Sequence, residues 1–428
     1  MLSADTPISR RQHVRSYLSL SALSGAGQVL ARVLGVLFSV VVARAFGPAD
    51  FGVVRYAIGV AGIASIVVGP LPTMLSRYLA IYRNESREVD RYFTNGAVLI
   101  AVILLFTLLG TGWYLQGEPP GIVLGTLLVV IGLAVFNTYT ELTRGLDALW
   151  RMASYYVVAN LLQLIAIVVC VWCLRLRSVG LALAIYGLSS LLPIVFFEFR
   201  RRSSVHLRLR LLTLPTMWRL SHFSVPLVIA HASYTIWGTL DLLLVEQHLG
   251  AQDTGVYGAA KTIVLVFLFV PFAVTTVALR YFARGSKRDA ERSLLLSLGA
   301  SLVTSAALVA GIWGWSGRLV QVMFGQNYRS AAQSLIILAA GMAVYTVYLV
   351  FETWMVARGY PWFHALAMTL TMGIGCVAEL ALLPSWGLPG VAVGFSLGIA
   401  AGTLTIIAFY LLLTKRSALA GSKSVARG

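Results

Sequence analysis

Along this chain, apolar residues come in long stretches parted by short clusters of charge. Uncharged runs fill positions 56–76, 92–117, 119–140, 152–174, 178–197, 220–240, 262–279, 293–317, 330–351 and 359–378. A further run, 380–414, holds a whole span and part of the one before it, and 17–43 is apolar except for Arg32. A helix crossing a ~30 Å hydrocarbon core needs ~20 such residues, so every stretch can span a bilayer. The pattern predicts an all-α polytopic membrane protein with twelve transmembrane helices.

Composition supports this class and excludes others. The chain is 58% hydrophobic and 11% charged, with a mean hydropathy of +0.83, which a soluble domain of 428 residues would not tolerate. The net charge of +17 is not pooled into one patch, so no nucleic-acid partner is expected. The positive residues alternate instead. With a cytoplasmic N-terminus, the inner segments carry Arg10, Arg11 and Arg15; Arg77, Arg83, Arg87 and Arg91; Arg144 and Arg151; Arg200, Arg201, Arg202, Arg208, Arg210 and Arg219; Arg280, Arg284, Lys287, Arg288 and Arg292; Arg358; and Lys415, Arg416, Lys423 and Arg427. The outer loops keep Arg175, Arg177, Arg318 and Arg329, with Arg44 and Arg55 at the ends of the first hairpin. By the positive-inside rule, both termini are expected in the cytoplasm. The first apolar run is full length and lacks a small-residue cleavage site, so no removable signal peptide is expected. Cys170 and Cys173 form a CxxC within an apolar span, where a metal or redox role lacks partners, and together with Cys376 they read as buried packing thiols. No cofactor is implied.

The chain also repeats itself. At an offset of 203, positions 44–80 lie over 247–283 without a gap, matching Gly47/Gly250, Asp50/Asp253, Gly52/Gly255, Arg77/Arg280 and Tyr78/Tyr281 among others. The repeat relates spans 1 and 2 to spans 7 and 8, an even number of crossings, so the halves should be related by an axis along the membrane normal. This divides the chain into an N-terminal half, 1–199, a basic linker, 200–220, and a C-terminal half, 221–428. Six arginines interleaved with leucines suit the linker either to rest on the inner leaflet or to form a solvated basic loop.

Polar residues within the spans form the candidate site. An Arg in mid-span costs ~2.5–3.5 kcal/mol and should face protein or water. Arg32 lies on a stripe with Ser21, Ser24, Gln28, Gly35 and Ser39 at helical spacing, and no acidic residue lies in its own span or the next. Asn160 and Gln163 lie on span 5, Lys261 on span 8, and Tyr345 and Tyr348 on span 10. These are candidate substrate contacts. Glu141, Asp241 and Glu379 are candidates for ion coupling, and each also suits structural pairing between helices.

The hairpins resemble the polysaccharide transporters of the multidrug/oligosaccharidyl-lipid/polysaccharide exporter superfamily, especially Wzx-type O-antigen flippases. The likeness is carried by ARAFGPADFGVVRYA (43–57), LDLLLVEQHLGAQDTGVYGAA (240–260), VMFGQNYRSAAQSLIIL (322–338) and SWGLPGVAVG (385–394). It implies two pseudo-symmetric six-helix lobes forming a V around a central cavity. It also implies alternating-access transport of an undecaprenyl-diphosphate-linked oligosaccharide from the inner to the outer leaflet of the bacterial inner membrane. Polysaccharide polymerase and glycosyltransferase partners would follow from that role. Lipid II flippases, which look similar, use cavity arginines for the diphosphate, and Arg32 is the best match to them. The chain departs from drug-extruding relatives in placing a basic residue in span 1. A proton- or sodium-coupled exporter of small organic cations is the alternative, and it predicts an acidic site built from Glu379, Asp241 or Glu141. No P-loop, HExxH or DxD motif supports an enzyme.

Overall fold

The computed structural model describes residues 10–82, 85–146, 149–199, 206–269 and 287–425, with 271, 272, 274, 275, 278 and 282 between the last two segments. Among them there are helices and turns and no strand. The helices are α1 (Arg10–Ala64), α2 (Pro70–Ile81), α3 (Ser86–Tyr114), α4 (Pro120–Gly145), α5 (Leu149–Val168), α6 (Val179–Phe199), α7 (Leu214–Leu249), α8 (Ala251–Val264), α9 (Lys287–Phe324), α10 (Ala331–Ala357) and α11 (Pro361–Val425). Among the described residues, eight helical stretches are each long and apolar enough to cross a membrane, and two of them, Val29–Ala64 and Pro361–Thr414, run through sharp bends.

Those bends reconcile the helices with twelve crossings. Gly47 has φ 83 and ψ 175, a conformation open to glycine because it lacks Cβ, and Pro48 follows it. The two together fold α1 into spans 1 and 2. Gly250, at φ 87 and ψ 177, turns α7 into α8 in the same way, 203 residues later. Gly387, ahead of Pro389, folds α11 into spans 11 and 12. The second arm of each repeat hairpin then breaks again: α1 resumes as α2, and α8 passes into the single turn Leu265–Leu268. The twelve spans form two pseudo-symmetric six-helix lobes around a central cavity.

Close backbone approach holds the lobes together. In the N-terminal lobe, α4 and α6 touch where a Cβ on Gly132 would lie 2.6 Å from the Gly187 carbonyl oxygen. Between lobes, a Cβ on Gly52 would fall 1.8 Å from the Ala251 oxygen, and one on Gly255 would fall 1.9 Å from the Pro48 oxygen. Both pairs are related by the repeat offset, so the two hairpins cross about a pseudo-twofold axis, glycine to backbone. The Gly47 and Gly250 turns therefore lie on the same face of the molecule, opposite the first and last described helix ends, Arg10 and Val425, and the lobes meet there. Around the crossing, Tyr328 donates to the Ala43 carbonyl at 2.9 Å, and Arg44 donates to the carbonyls of Met323 and Val322 at the end of α9. Phe51 packs on Phe324 and Tyr328, each at 6.2 Å between ring centroids.

On the terminal face, the end of the linker is docked against the N-terminal lobe. Arg208 pairs with the buried Asp90 at 2.9 Å, and the His206 amide donates to Asp90 at 2.9 Å. Asn95 donates to the Leu211 carbonyl and accepts from the Thr213 amide, both at 2.9 Å. Leu207, Leu209, Leu214 and Trp218 stay exposed along this strap. Linker residues 200–205 lie outside the described residues. Two expectations need correction. Cys173 is exposed and Cys170 and Cys376 are half-buried, the first two at the π-helical turn Val169–Cys173 that ends span 5; none is a fully buried packing thiol. Arg55 is not at the end of a hairpin but two turns into span 2, since the helix restarts at Pro48.

Candidate functional site

Among the described residues, two cavities within the bundle hold candidate site residues. The first, of about 320 Å³, is walled mainly by the N-terminal lobe. Arg32, Gly35 and Ser39 from span 1 reach it, as the stripe predicts, with Arg55 from span 2, Tyr156, Asn160 and Gln163 from α5, and Tyr186 from α6. Thr262 and Leu265 close it from the other lobe. Among the described residues, no Asp or Glu lines it. The structure thus brings Arg32, Asn160 and Gln163 together and adds Arg55, Tyr156 and Tyr186, which the sequence reading missed. Arg55 was legible: Phe51, Val54, Arg55 and Ile58 recur at helical spacing and share one wall.

Several polar groups of this cavity have no charged or hydrogen-bonding partner among the described residues. The Arg32 guanidinium lies 4.3 Å from the centroid of Phe272 in the other lobe, a cation–π contact, and no ion pair holds it among the described residues. The Arg55 Nε and the Gln163 Nε2 are buried without a hydrogen-bond partner among the described residues. Asn160 donates back to the Tyr156 carbonyl at 2.9 Å. The Gln28 side chain lies outside the described residues.

The second cavity, of about 480 Å³, lies between the lobes toward the terminal face. Pro70, Thr73, Asn137 and Glu141 line it from one lobe, and His231, Tyr234, Tyr345, Glu352 and His364 from the other. Its carboxylates are partnered: Glu141 with Arg144 at 2.8 Å, and Glu352 with His364 at 3.5 Å. Phe272 lines this cavity and carries on its ring Arg32, which lines the first. Tyr345 lines the space. Tyr348 does not: its ring is buried behind Tyr345 at 5.6 Å, and its hydroxyl bonds His364 Nδ1 at 3.1 Å.

The remaining candidates form a separate group inside the C-terminal lobe. Lys261 donates to Asp241 at 2.7 Å and to the Gly238 carbonyl at 2.6 Å. Glu379, also buried, is within electrostatic reach of both. Lys261 therefore belongs with the carboxylates and not with Arg32.

The site thus lies in a two-lobed bundle of twelve membrane spans, in a basic cavity walled mainly by the N-terminal lobe and closed by the other. The family model described as polysaccharide biosynthesis protein matches residues 21–286, well over half of the chain, and the chain belongs to that family. A second model, MatE, matches residues 226–380. The chain is 24% identical over 371 residues to the succinoglycan biosynthesis transport protein ExoT of Rhizobium meliloti (strain 1021), covering 80% of this chain and 68% of that protein. Among solved structures it resembles the inward-facing conformation of a multidrug resistance MATE family transporter of the MOP superfamily. That match has a TM-score of 0.73 and 16% identity, and covers 92% of this chain and 96% of the other. It also resembles the lipid II flippase MurJ in an inward closed conformation, with a TM-score of 0.71 and 14% identity, over 91% and 87% of the two chains. The protein is thus a multi-pass membrane transporter of polysaccharide biosynthesis.

Proposed function

We propose that the protein flips an undecaprenyl-diphosphate-linked oligosaccharide repeat unit from the inner to the outer leaflet of the bacterial inner membrane by alternating access, its termini in the cytoplasm. The observation that carries this reading is that Arg32 and Arg55 line one cavity with no carboxylate among its described lining residues. A diphosphate leaving water for hydrocarbon loses tens of kcal/mol of solvation unless fixed positive charge and hydrogen-bond donors replace it. Two guanidinium forks give matching donors to phosphate oxygens, and neither is tied up in an ion pair among the described residues. Asn160, Gln163, Tyr156 and Tyr186 offer amides and rings to the sugar next to the phosphate, and Tyr345 and Tyr234 extend the sugar path into the larger cavity. The lipid tail stays in the bilayer, reached between the lobes. Glycosyltransferases that build the unit and a polymerase that consumes it are the implied partners.

Export of small organic cations is the second reading, favoured by Glu141 and Glu352 in the larger cavity. Both carboxylates already have cationic or ionisable partners, which leaves less charge for a cationic substrate. The test is complementation of a strain lacking the gene and its surface glycan. Arg32→Ala and Arg55→Ala should each abolish the glycan at normal protein levels, and Arg32→Lys should restore part of it, since charge survives without the fork. Loss of drug resistance on changing Glu141 and Glu352, with the glycan intact in Arg32→Ala, would support the second reading instead.

A further inference from the structure

Arg32 and Phe272 belong to different lobes and touch. Arg32 lines the first cavity from span 1, whereas Phe272 follows the single turn Leu265–Leu268 on span 8 and lines the second. The guanidinium carbon stands over the ring, 4.3 Å from its centroid. Tyr156 of its own lobe and Tyr234 and Tyr345 of the other are within electrostatic reach of the same guanidinium. The cation is therefore set among aromatic rings. A ring on the face of a guanidinium leaves its edge free, because the five N–H donors lie in the guanidinium plane and stacking uses none of them. Stacking also takes up beforehand the freedom that a long arginine side chain otherwise loses on binding a ligand.

The duplication separates this contact from the scaffold that the two halves share. The 203-residue offset that relates Gly52 to Gly255 also relates Gly35 to Gly238, and it sets Thr235 against Arg32 and Gly69 against Phe272. In the equivalent place, where α2 meets α7, a Cβ on Gly69 would fall 2.6 Å from His231 Nε2. The lobes approach there with neither a cation nor a ring at these two positions. The Arg32–Phe272 pair is thus an addition to one side of the pseudo-twofold arrangement.

We propose that Phe272 is a positioning residue for the cargo: its ring holds the Arg32 fork ready for phosphate oxygens while the lobes stand as seen here, and gives it up when they move. The inference rests on the diphosphate reading of Arg32 and adds what makes that affinity differ between conformations. Alternating access needs such a difference, because a ligand held equally well in two states shifts neither. A contact between lobes supplies it. Rocking one lobe against the other alters the 4.3 Å stack, whereas Asn160 and Gln163 travel with Arg32 on the same lobe.

Calorimetric binding of inorganic diphosphate to the purified protein tests this. Phe272→Leu should weaken binding roughly five- to thirtyfold, the range of a desolvated cation–π contact, and Phe272→Tyr should keep it near wild type. Lost packing could mimic the first result, so progressively fluorinated phenylalanines at position 272 form the second arm. They nearly preserve shape and drain the ring face of negative charge, and binding should weaken with each added fluorine. In an Arg32→Ala background none of these changes should matter. Gly52→Ala, which disfavours the closed turn face, should weaken binding when made alone and add nothing to Phe272→Leu. Affinity indifferent to fluorination, or lowered equally by Phe272→Leu with and without Arg32, would overturn the positioning role, and equal weakening by Gly52→Ala in both backgrounds would overturn its dependence on the lobes. No diphosphate binding by the wild type would instead overturn the diphosphate reading, and this inference with it.

Discussion

Three cations in the spans look alike as letters and differ once placed. Arg32 and Arg55 face a cavity, whereas Lys261 is 2.7 Å from Asp241 and mostly buried. Removing one partner of a buried pair leaves the other charge uncompensated, at a cost of ~3–5 kcal/mol. Lys261→Ala should therefore lower the detergent melting temperature sharply, and the double variant Lys261→Ala/Asp241→Ala should recover much of that loss. Additive destabilisation in the double variant would mean that the two residues act separately. Arg32 was recognisable beforehand because its stripe of small and polar neighbours is local in sequence. The Lys261–Asp241 pair was not, because it joins two helices across twenty residues, and nothing in either span's own pattern states which facing helix a polar residue meets.

At the scale of elements, glycine positions decide where helices bend and where they touch. The repeat made the Gly47 and Gly250 turns legible, but not that Gly52 and Gly255 would meet the opposite hairpin's backbone, since contact between hairpins is a tertiary fact. A methyl added at Gly52 must displace the Ala251 carbonyl, and overpacking of that kind costs ~1–3 kcal/mol. Gly52→Ala should thus disfavour the closed turn face by roughly five- to 150-fold. A cysteine placed at Gln252 should then react faster with a membrane-impermeant maleimide; an unchanged rate would show that the crossing does not gate that face. The strap is a second element-scale device. Arg208 and the amides of His206 and Thr213 rest on Asp90 and Asn95, two polar residues at the start of α3 that apolar periodicity gave no reason to single out. Asp90→Ala should free the strap, so that trypsin cuts after Arg208 or Arg210 several-fold faster; equal cleavage rates would show that the strap holds without Asp90.

For the molecule as a whole, the number of spans and the duplication could be read from charge spacing and the 203-residue offset, and the structure adds how the halves face each other. They close on the turn face and leave cavities of about 320 and 480 Å³ toward the middle and the terminal face. With the positive-inside orientation, cargo would enter from the cytoplasmic side. The central claim is that the basic cavity carries a diphosphate across, and it is met most directly by a flipping assay in proteoliposomes. Purified wild type should move an undecaprenyl-diphosphate oligosaccharide between leaflets, while the equally well folded Arg32→Ala/Arg55→Ala variant should do so at least a hundredfold more slowly, about 2.7 kcal/mol of lost stabilisation. Wild-type flipping rates in the double variant would contradict the claim.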